Sequence, residues 1–168
     1  MAHGADSLHI GVIGSSVANA EQISNARAVG LGLAQAGALV VCGGLGGVME
    51  AACEGVREGG GVSVGILPDA DRSRANRYVD VAIPTGMGEL RNGLIVRAAD
   101  ALIAIGGGWG TLSEIAFAMR TDRGLVALGS WDLKDIGEAR IERVSDPAQA
   151  VARALALASE RADQLRLG

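Results

Sequence analysis

The sequence predicts a single α/β domain whose mostly parallel sheet has about six or seven strands flanked by helices. Three observations carry that expectation. Short apolar runs recur along the chain, each closed by glycine or a turn and followed by a stretch of helical periodicity, which is the alternation of βαβ units. The 168 residues fall within the size of one domain, and an apolar content of 49% supplies a substantial core. Aromatic residues make up only 2% while small aliphatic residues dominate, which suits helices packed closely on a sheet. No linker, repeat or low-complexity tract divides the chain, so residues 1–168 read as one domain, with 1–7 as a flexible lead and 146–166 as a C-terminal helix.

The elements follow in order. A first strand covers roughly 9–13, and Gly14-Ser15-Ser16 leads to a helix near 21–36 that ends at Gly37. The second strand, 38–42, gives way to Gly43-Gly44-Leu45-Gly46-Gly47, then to a helix over 48–58 stopped by Gly59-Gly60-Gly61. Strand three is 62–67, closed by Pro68. A long polar loop, 69–77, carries Arg72, Arg74 and Arg77 among Asp69, Asp71 and Asn76. Strand four is 79–83, and Pro84-Thr85-Gly86 opens a helix through about Ala99. Strand five, 101–105, enters a helix that begins near Thr111 and runs to about Arg120, and strand six is 125–128. A short edge strand is expected at 139–144. Ser145-Asp146-Pro147 is a good helix start, with a capping side chain and then proline in the first turn. Val151, Leu155, Ala158, Ala162 and Leu165 would form that last helix's apolar stripe.

Composition excludes several functions. A net charge of −4 and a pI near 5.1 lack the basic footprint of a nucleic-acid-binding domain, and the scarcity of aromatics argues against stacking on single strands. Cys42 and Cys53 do not form a CxxC pair, and with only His3 and His9 available no zinc-ligand spacing arises, so no metal site is expected. The two thiols read as inert core residues. The start MAHGADS lacks a charged segment followed by a long apolar one, and no run of eighteen apolar residues occurs. The expectation is a soluble, reduced, cytoplasmic protein with no membrane partner.

The chemistry should lie in three glycine-bearing loops after strands one, two and five, because open parallel sheets bind ligands at the carboxyl ends of their strands. The candidates are Gly14, Ser15 and Ser16, then Gly43 and Gly44, then Gly107, Gly108, Gly110 and Thr111. In the last loop, missing side chains let backbone N–H groups approach an anion, and the helix that follows adds about half a positive charge at its N-terminus. A phosphate fits. Ordinary NAD binding is disfavoured, because the first loop reads Gly-Ser-Ser and strand two ends in Val41-Cys42 rather than an acid. ATP hydrolysis is disfavoured as well, since neither glycine loop contains lysine. Glu114, in the first turn of its helix, reads either as a partner for the helix dipole or as a carboxylate at the rim of the cleft. Arg91 reads either as a surface charge or as an anion clamp. Trp109 is a lid or stacking platform on one reading, and a packing or subunit contact on another.

Three stretches carry a resemblance. GGGWGTLSE (106–114) resembles the P-G-G-x-G-T-x-x-E signature of the Lonely Guy family of cytokinin-activating phosphoribohydrolases, long mislabelled as lysine decarboxylases. CGGLGGVMEAA (42–52), GILP (65–68) and GMGELRNGLIVRAADALIAIGGGWGTLSE (86–114) are more similar to a sister group that includes the molybdenum cofactor carrier proteins. The resemblance covers about 10–128. It implies a Rossmann-like sheet, a homodimer or higher homo-oligomer, the family glutamate at Glu114 and its arginine at Arg91. It also places the phosphate loop at Gly107, Gly108, Gly110 and Thr111. The chain departs from the hydrolase pattern where the family proline is Gly106, the lysine after the arginine is Asn92, and the first of two acids is Ser113.

Two functions follow as expectations. One is a binding or carrier protein for a phosphorylated heterocycle, either a nucleotide or a molybdenum cofactor-like pterin, with no cofactor required for its own activity. The other is a phosphoribohydrolase that cleaves the N-glycosidic bond of a nucleoside 5′-monophosphate such as AMP. The departures at Asn92 and Ser113 favour the first. A pyridoxal phosphate-dependent lysine decarboxylase is rejected, because Lys134, the single lysine, lies outside every glycine motif.

Overall fold

The structure, a computed structural model, describes residues 7–133 and 141–167, without the side chains of Leu165 and Leu167. Most of the flexible lead assigned to 1–7, together with Lys134 and the first two positions of the strand expected at 139–144, therefore lies outside the described residues. The strands are β1 (His9–Gly14), β2 (Leu39–Cys42), β3 (Ser63–Leu67), β4 (Val81–Pro84), β5 (Ala101–Ile105), β6 (Gly124–Leu128) and β7 (Ile141–Val144). The helices are α1 (Ala20–Gln35), α2 (Val48–Glu58), α3 (Asn92–Ala98), α4 (Trp109–Arg120) and α5 (Pro147–Leu167), and a 3-10 turn at Gly88–Arg91 precedes α3.

The seven strands form one sheet in the order β4-β3-β2-β1-β5-β6-β7, and every pairing in it is parallel. The order reverses at β1: β2, β3 and β4 are laid down on one side, then the chain crosses to place β5 on the other. Such a switch point opens a crevice between the loops that leave β1 and β5.

Strand alternation divides the core into two layers. Ile10, Val12, Ile103 and Ile105 face α1, α2 and α5, whereas Ile13, Val41, Leu102 and Ala104 face α3 and α4. Val12, Leu33, Ile103 and Ile105 are fully buried. Helix α1 starts as the sequence dictates, with a capping box in which Asn19 accepts from the Gln22 amide and Gln22 Oε1 accepts from the Asn19 amide. At the start of α5, Asp146 Oδ1 accepts from the Gln149 amide at 2.9 Å, with Pro147 as the first helical residue.

Three expectations need correction. Strand β4 begins at Val81, not Val79, because polar side chains claim the backbone just before it. Asn76 Oδ1 takes the Tyr78 amide, while Asp80 Oδ2 takes both the amide and the hydroxyl of Ser63 at 2.8 Å. The helix expected from residue 86 starts only at the 3-10 turn, because Gly86 and Gly88 adopt positive φ and donate to the Asp69 and Pro68 carbonyls. On α5 the expected stripe holds at Ala158, which is fully buried, but Ala150 and Ala154 face the core in place of Val151 and Leu155, which only flank them. Small residues let that helix lie close to the sheet, which turns the buried stripe by one position from the one the large apolar residues suggested.

Candidate functional site

Backbone N–H groups at the carboxyl edge of the sheet are the first component. Helix α4 starts at Trp109 with Gly108 as N-cap and no capping side chain, and Leu112 is the first amide bonded back, to the Gly108 carbonyl at 3.0 Å. The amides of Trp109, Gly110 and Thr111 thus have no intrahelical acceptor, and none from elsewhere among the described residues. Thr111 is only 2% exposed, yet its Oγ1 has no hydrogen-bond partner among those residues. Free N–H groups are ordinary at a helix start, but the Thr111 hydroxyl is not, because buried polar groups in folded proteins are nearly always satisfied.

Trp109, Gly110 and Thr111 line a cavity of about 490 Å³ over the switch point. It is lined by Gly14, Ser15 and Ser16 after β1, Gly43 after β2, Gly108, Gly110 and Thr111 after β5, and by Arg91 and Glu114. The three loops, the arginine and the glutamate nominated from sequence therefore share one cavity. Gly44 and Gly107 stand outside the lining. Gly44 adopts φ 73° with its Cα packed towards Gly65 and Leu67, and Gly107, at φ 152°, lies against Trp131. Both shape the loops from behind.

Arg91 and Glu114 are buried together, with Arg91 Nη1 at 3.9 Å from Glu114 Oε1. Arg91 Nη1 also donates to Asn92 Oδ1, and Nη2 donates to the Gly43 carbonyl at 3.4 Å. The guanidinium is thereby fixed between the β2 loop and α4. Glu114 corrects two expectations at once. It sits in the second turn of α4, which begins two residues earlier than the sequence suggested, and it is 6% exposed in the wall of the cavity instead of at its rim. Burial lifts its carboxyl to about 8, while the nearby Arg91 pulls the other way. At neutral pH Glu114 is mostly a neutral acid, able to donate a hydrogen bond.

The departures from the hydrolase pattern meet in space. Asn92 Nδ2 donates to Ser113 Oγ at 2.9 Å, and Ser113 Oγ donates to the Gly110 carbonyl at 2.7 Å. The positions at which the hydrolases carry a lysine and an acid here form a neutral hydrogen-bonded chain behind the loop. Gly106, in place of the family proline, has φ 59°, a conformation proline cannot take.

Part of the lining comes from residues that the sequence does not single out individually. Asp69 and Arg74 line the cavity from the loop after β3, and Glu89 does so from the 3-10 turn. Asp69 immediately follows Pro68 at the carboxyl end of a strand, and that position was the available signal. Nothing local marks Glu89. Trp109 is 81% exposed at the cavity and its ring centroid lies 5.9 Å from that of Trp131, a partner no periodicity announces. Cys42 and Cys53 are free and buried, with sulfurs 3.6 Å apart. Among the described residues no helix is long and apolar enough to cross a membrane.

A parallel, switch-point sheet with glycine loops and a buried arginine–glutamate pair at its carboxyl edge defines a Rossmann-like α/β protein of the kind the sequence motifs suggested. The chain belongs to the SLOG cluster4 family, whose model matches residues 7–159. It is 43% identical over 121 residues to an uncharacterized protein of Archaeoglobus fulgidus, covering 72% of this chain and 80% of that one. Among solved structures, the molybdenum cofactor binding protein of Rippkaea orientalis superposes with a TM-score of 0.84 at 32% identity, covering 89% of this chain and 96% of the other. The molybdenum cofactor carrier protein of Chlamydomonas reinhardtii gives a TM-score of 0.82 at 30% identity, over 91% and 99% of the two chains.

Proposed function

We propose that this protein binds a phosphorylated heterocycle, a molybdenum cofactor-like pterin or a nucleotide, and acts as a carrier or binding protein in the cytoplasm. The observation that carries the reading is the set of free donors at the start of α4, the Trp109, Gly110 and Thr111 amides with the buried Thr111 Oγ1, on residues that line the cavity. In this reading they hold the phosphate, aided by the helix dipole, and Gly108 leaves the approach open. Arg91 supplies fixed positive charge beside them, and Gly14, Ser15, Ser16 and Gly43 form the wall along the body of the ligand. The likeness to the two molybdenum cofactor proteins supports the pterin as ligand.

Hydrolysis of a nucleoside monophosphate is the competing reading. It would use Glu114 as a carboxylate against a cation-like ribose. A side chain that is mostly protonated at pH 7, with the uncharged Asn92–Ser113 chain beside it, suits binding better. The homodimer belongs to the same proposal, since Leu90, Leu94 and Phe117 leave apolar surface exposed around α3 and α4 that a second copy would cover.

Thermal unfolding with GMP, AMP and molybdopterin, alongside chromatography for released base, tests the proposal. Protection by a phosphorylated ligand without free base is expected. Steady release of free base would replace the binding reading with the hydrolase, and absence of protection by all three would end it.

A further inference from the structure

The cavity is chemically lopsided along the sheet. Its donor-rich end lies over β5 and α4, whereas Asp69 and Arg74 belong to the loop that leaves β3. In the order β3-β2-β1-β5 these ends are three strand spacings apart, or about 14 Å. The far end is carboxylate-bearing. Asp69 and Glu89 both line the cavity, and both lie close enough to Arg91 to act on it: burial lowers the Arg91 pKa, and these carboxylates are among the groups that oppose that shift. The two Asp69 oxygens lie 3.1 and 3.3 Å from one nitrogen, Nη1 of the largely exposed Arg74. A carboxylate has about four acceptor positions, so this exposed pair leaves Asp69 able to accept further hydrogen bonds. The same cavity holds Thr111, almost fully buried with an unpartnered hydroxyl, which marks the opposite end as built for a ligand.

A ligand that spans this cavity therefore meets free donors at its phosphate end and, at its ring end, the carboxylate of Asp69 beside Arg74. A carboxylate is matched by two adjacent N–H groups pointing the same way. The 2-amino-4-oxo pyrimidine edge, shared by guanine and the pterins, presents such a pair in its ring N–H and exocyclic amino group. Adenine presents one amino group beside a ring nitrogen lone pair, which a carboxylate oxygen would repel. We propose that Asp69, assisted by Glu89, selects the ring of the ligand, so that the cavity takes a 2-amino-4-oxo edge in preference to adenine.

This inference rests on the phosphate-binding reading above and adds the ring class to it. A carboxylate that pairs with both N–H groups of such an edge discriminates against a ring that presents only one of them, and with Asp69 partly exposed and Glu89 exposed the expected discrimination is modest.

Isothermal titration with GMP, IMP and AMP on the wild type, Asp69→Asn and Glu89→Gln tests it, since the three share ribose and phosphate and differ only in the ring. In the wild type GMP binds at least about tenfold tighter than AMP. IMP, which keeps the ring N–H and lacks the amino group, falls between them. Asp69→Asn brings the GMP-to-AMP ratio below about threefold, and Glu89→Gln reduces it by less; circular dichroism checks that each variant is folded. AMP binding as tightly as GMP in the wild type, or a ratio unchanged in both variants, overturns the assignment while leaving the phosphate reading intact. Failure of all three nucleotides to bind at millimolar concentration defeats the phosphate reading itself, and this inference with it.

Discussion

Two loops of similar composition do different work in this protein. The β2–α2 loop, Gly43 to Gly47, and the β5–α4 loop, Gly106 to Gly110, both lead from a strand end into a helix on the same sheet edge. In the first, Gly44 and Gly47 are consumed by the fold. Gly47 adopts φ 63° as the N-cap of α2, and a Cβ there would collide with the Ser15 and Ser16 carbonyls of the neighbouring loop. In the second, Gly108 has an ordinary extended φ of −128°, and a Cβ built on it would meet nothing within 4 Å. Neither its conformation nor its packing calls for glycine, yet it faces the cavity. Glycines the backbone needs and a glycine at the cavity wall that the backbone does not need are thus distinguished by geometry, though they look alike in the sequence.

This contrast can be broken or sharpened by substitution. The largest effect is expected at Gly47→Ala, where a side chain would bring both a disfavoured φ and backbone overlap; chemical denaturation should show a loss of about 3 kcal/mol or more. Next is Glu114→Gln. The folded protein holds the Glu114 proton up to about pH 8, whereas the unfolded chain releases it near 4.5. Between those values the folded state binds more protons, so wild-type stability should fall as pH rises from about 5 to 8, by at most about 1.4 kcal/mol per pH unit from this group. Denaturant midpoints across that range should be flatter for Glu114→Gln. If both proteins follow the same pH profile, Glu114 is ionised like an ordinary carboxylate.

A smaller cost is expected for Gly108→Val in the absence of ligand. The substitution replaces an N-cap glycine whose surroundings are open, so the unfolding free energy should change by no more than about 1 kcal/mol. A collapse like that of Gly47→Ala would show that Gly108 is structural after all. The smallest effect belongs to Trp109→Ala, which removes a ring 81% exposed. Stability should stay within about 0.5 kcal/mol, while near-UV circular dichroism should lose the contribution of the Trp109–Trp131 pair.

Much of this architecture was legible in the sequence because it depends on local signals. The α2 boundaries at Val48 and Glu58 and the β5 boundaries at Ala101 and Ile105 follow directly from apolar runs bounded by glycine. The three loops could be placed on one edge because parallel strands all point the same way. The rest depends on tertiary contacts. The start of β4 was lost to Asn76 and Asp80, whose hydrogen bonds compete with the ladder, and the buried stripe of α5 was displaced by alanines that gain their value only from close approach to the sheet. In the site, the family resemblance points to Arg91 and Glu114, but only the fold reveals that they lie 3.9 Å apart and that burial raises the glutamate's pKa to about 8. The hydrogen bond between Asn92 and Ser113, twenty-one residues apart in the chain, was equally invisible: two separate departures from a motif prove to touch.

The central claim is that backbone donors at the start of α4 hold a phosphate, and a paired titration of GMP and guanosine against wild type and Gly108→Val tests it most directly. The account predicts that GMP binds the wild type, that guanosine binds far more weakly, and that Gly108→Val loses GMP binding while keeping its fold. Equal affinity for GMP and guanosine, or undiminished GMP binding by a folded Gly108→Val, would contradict it.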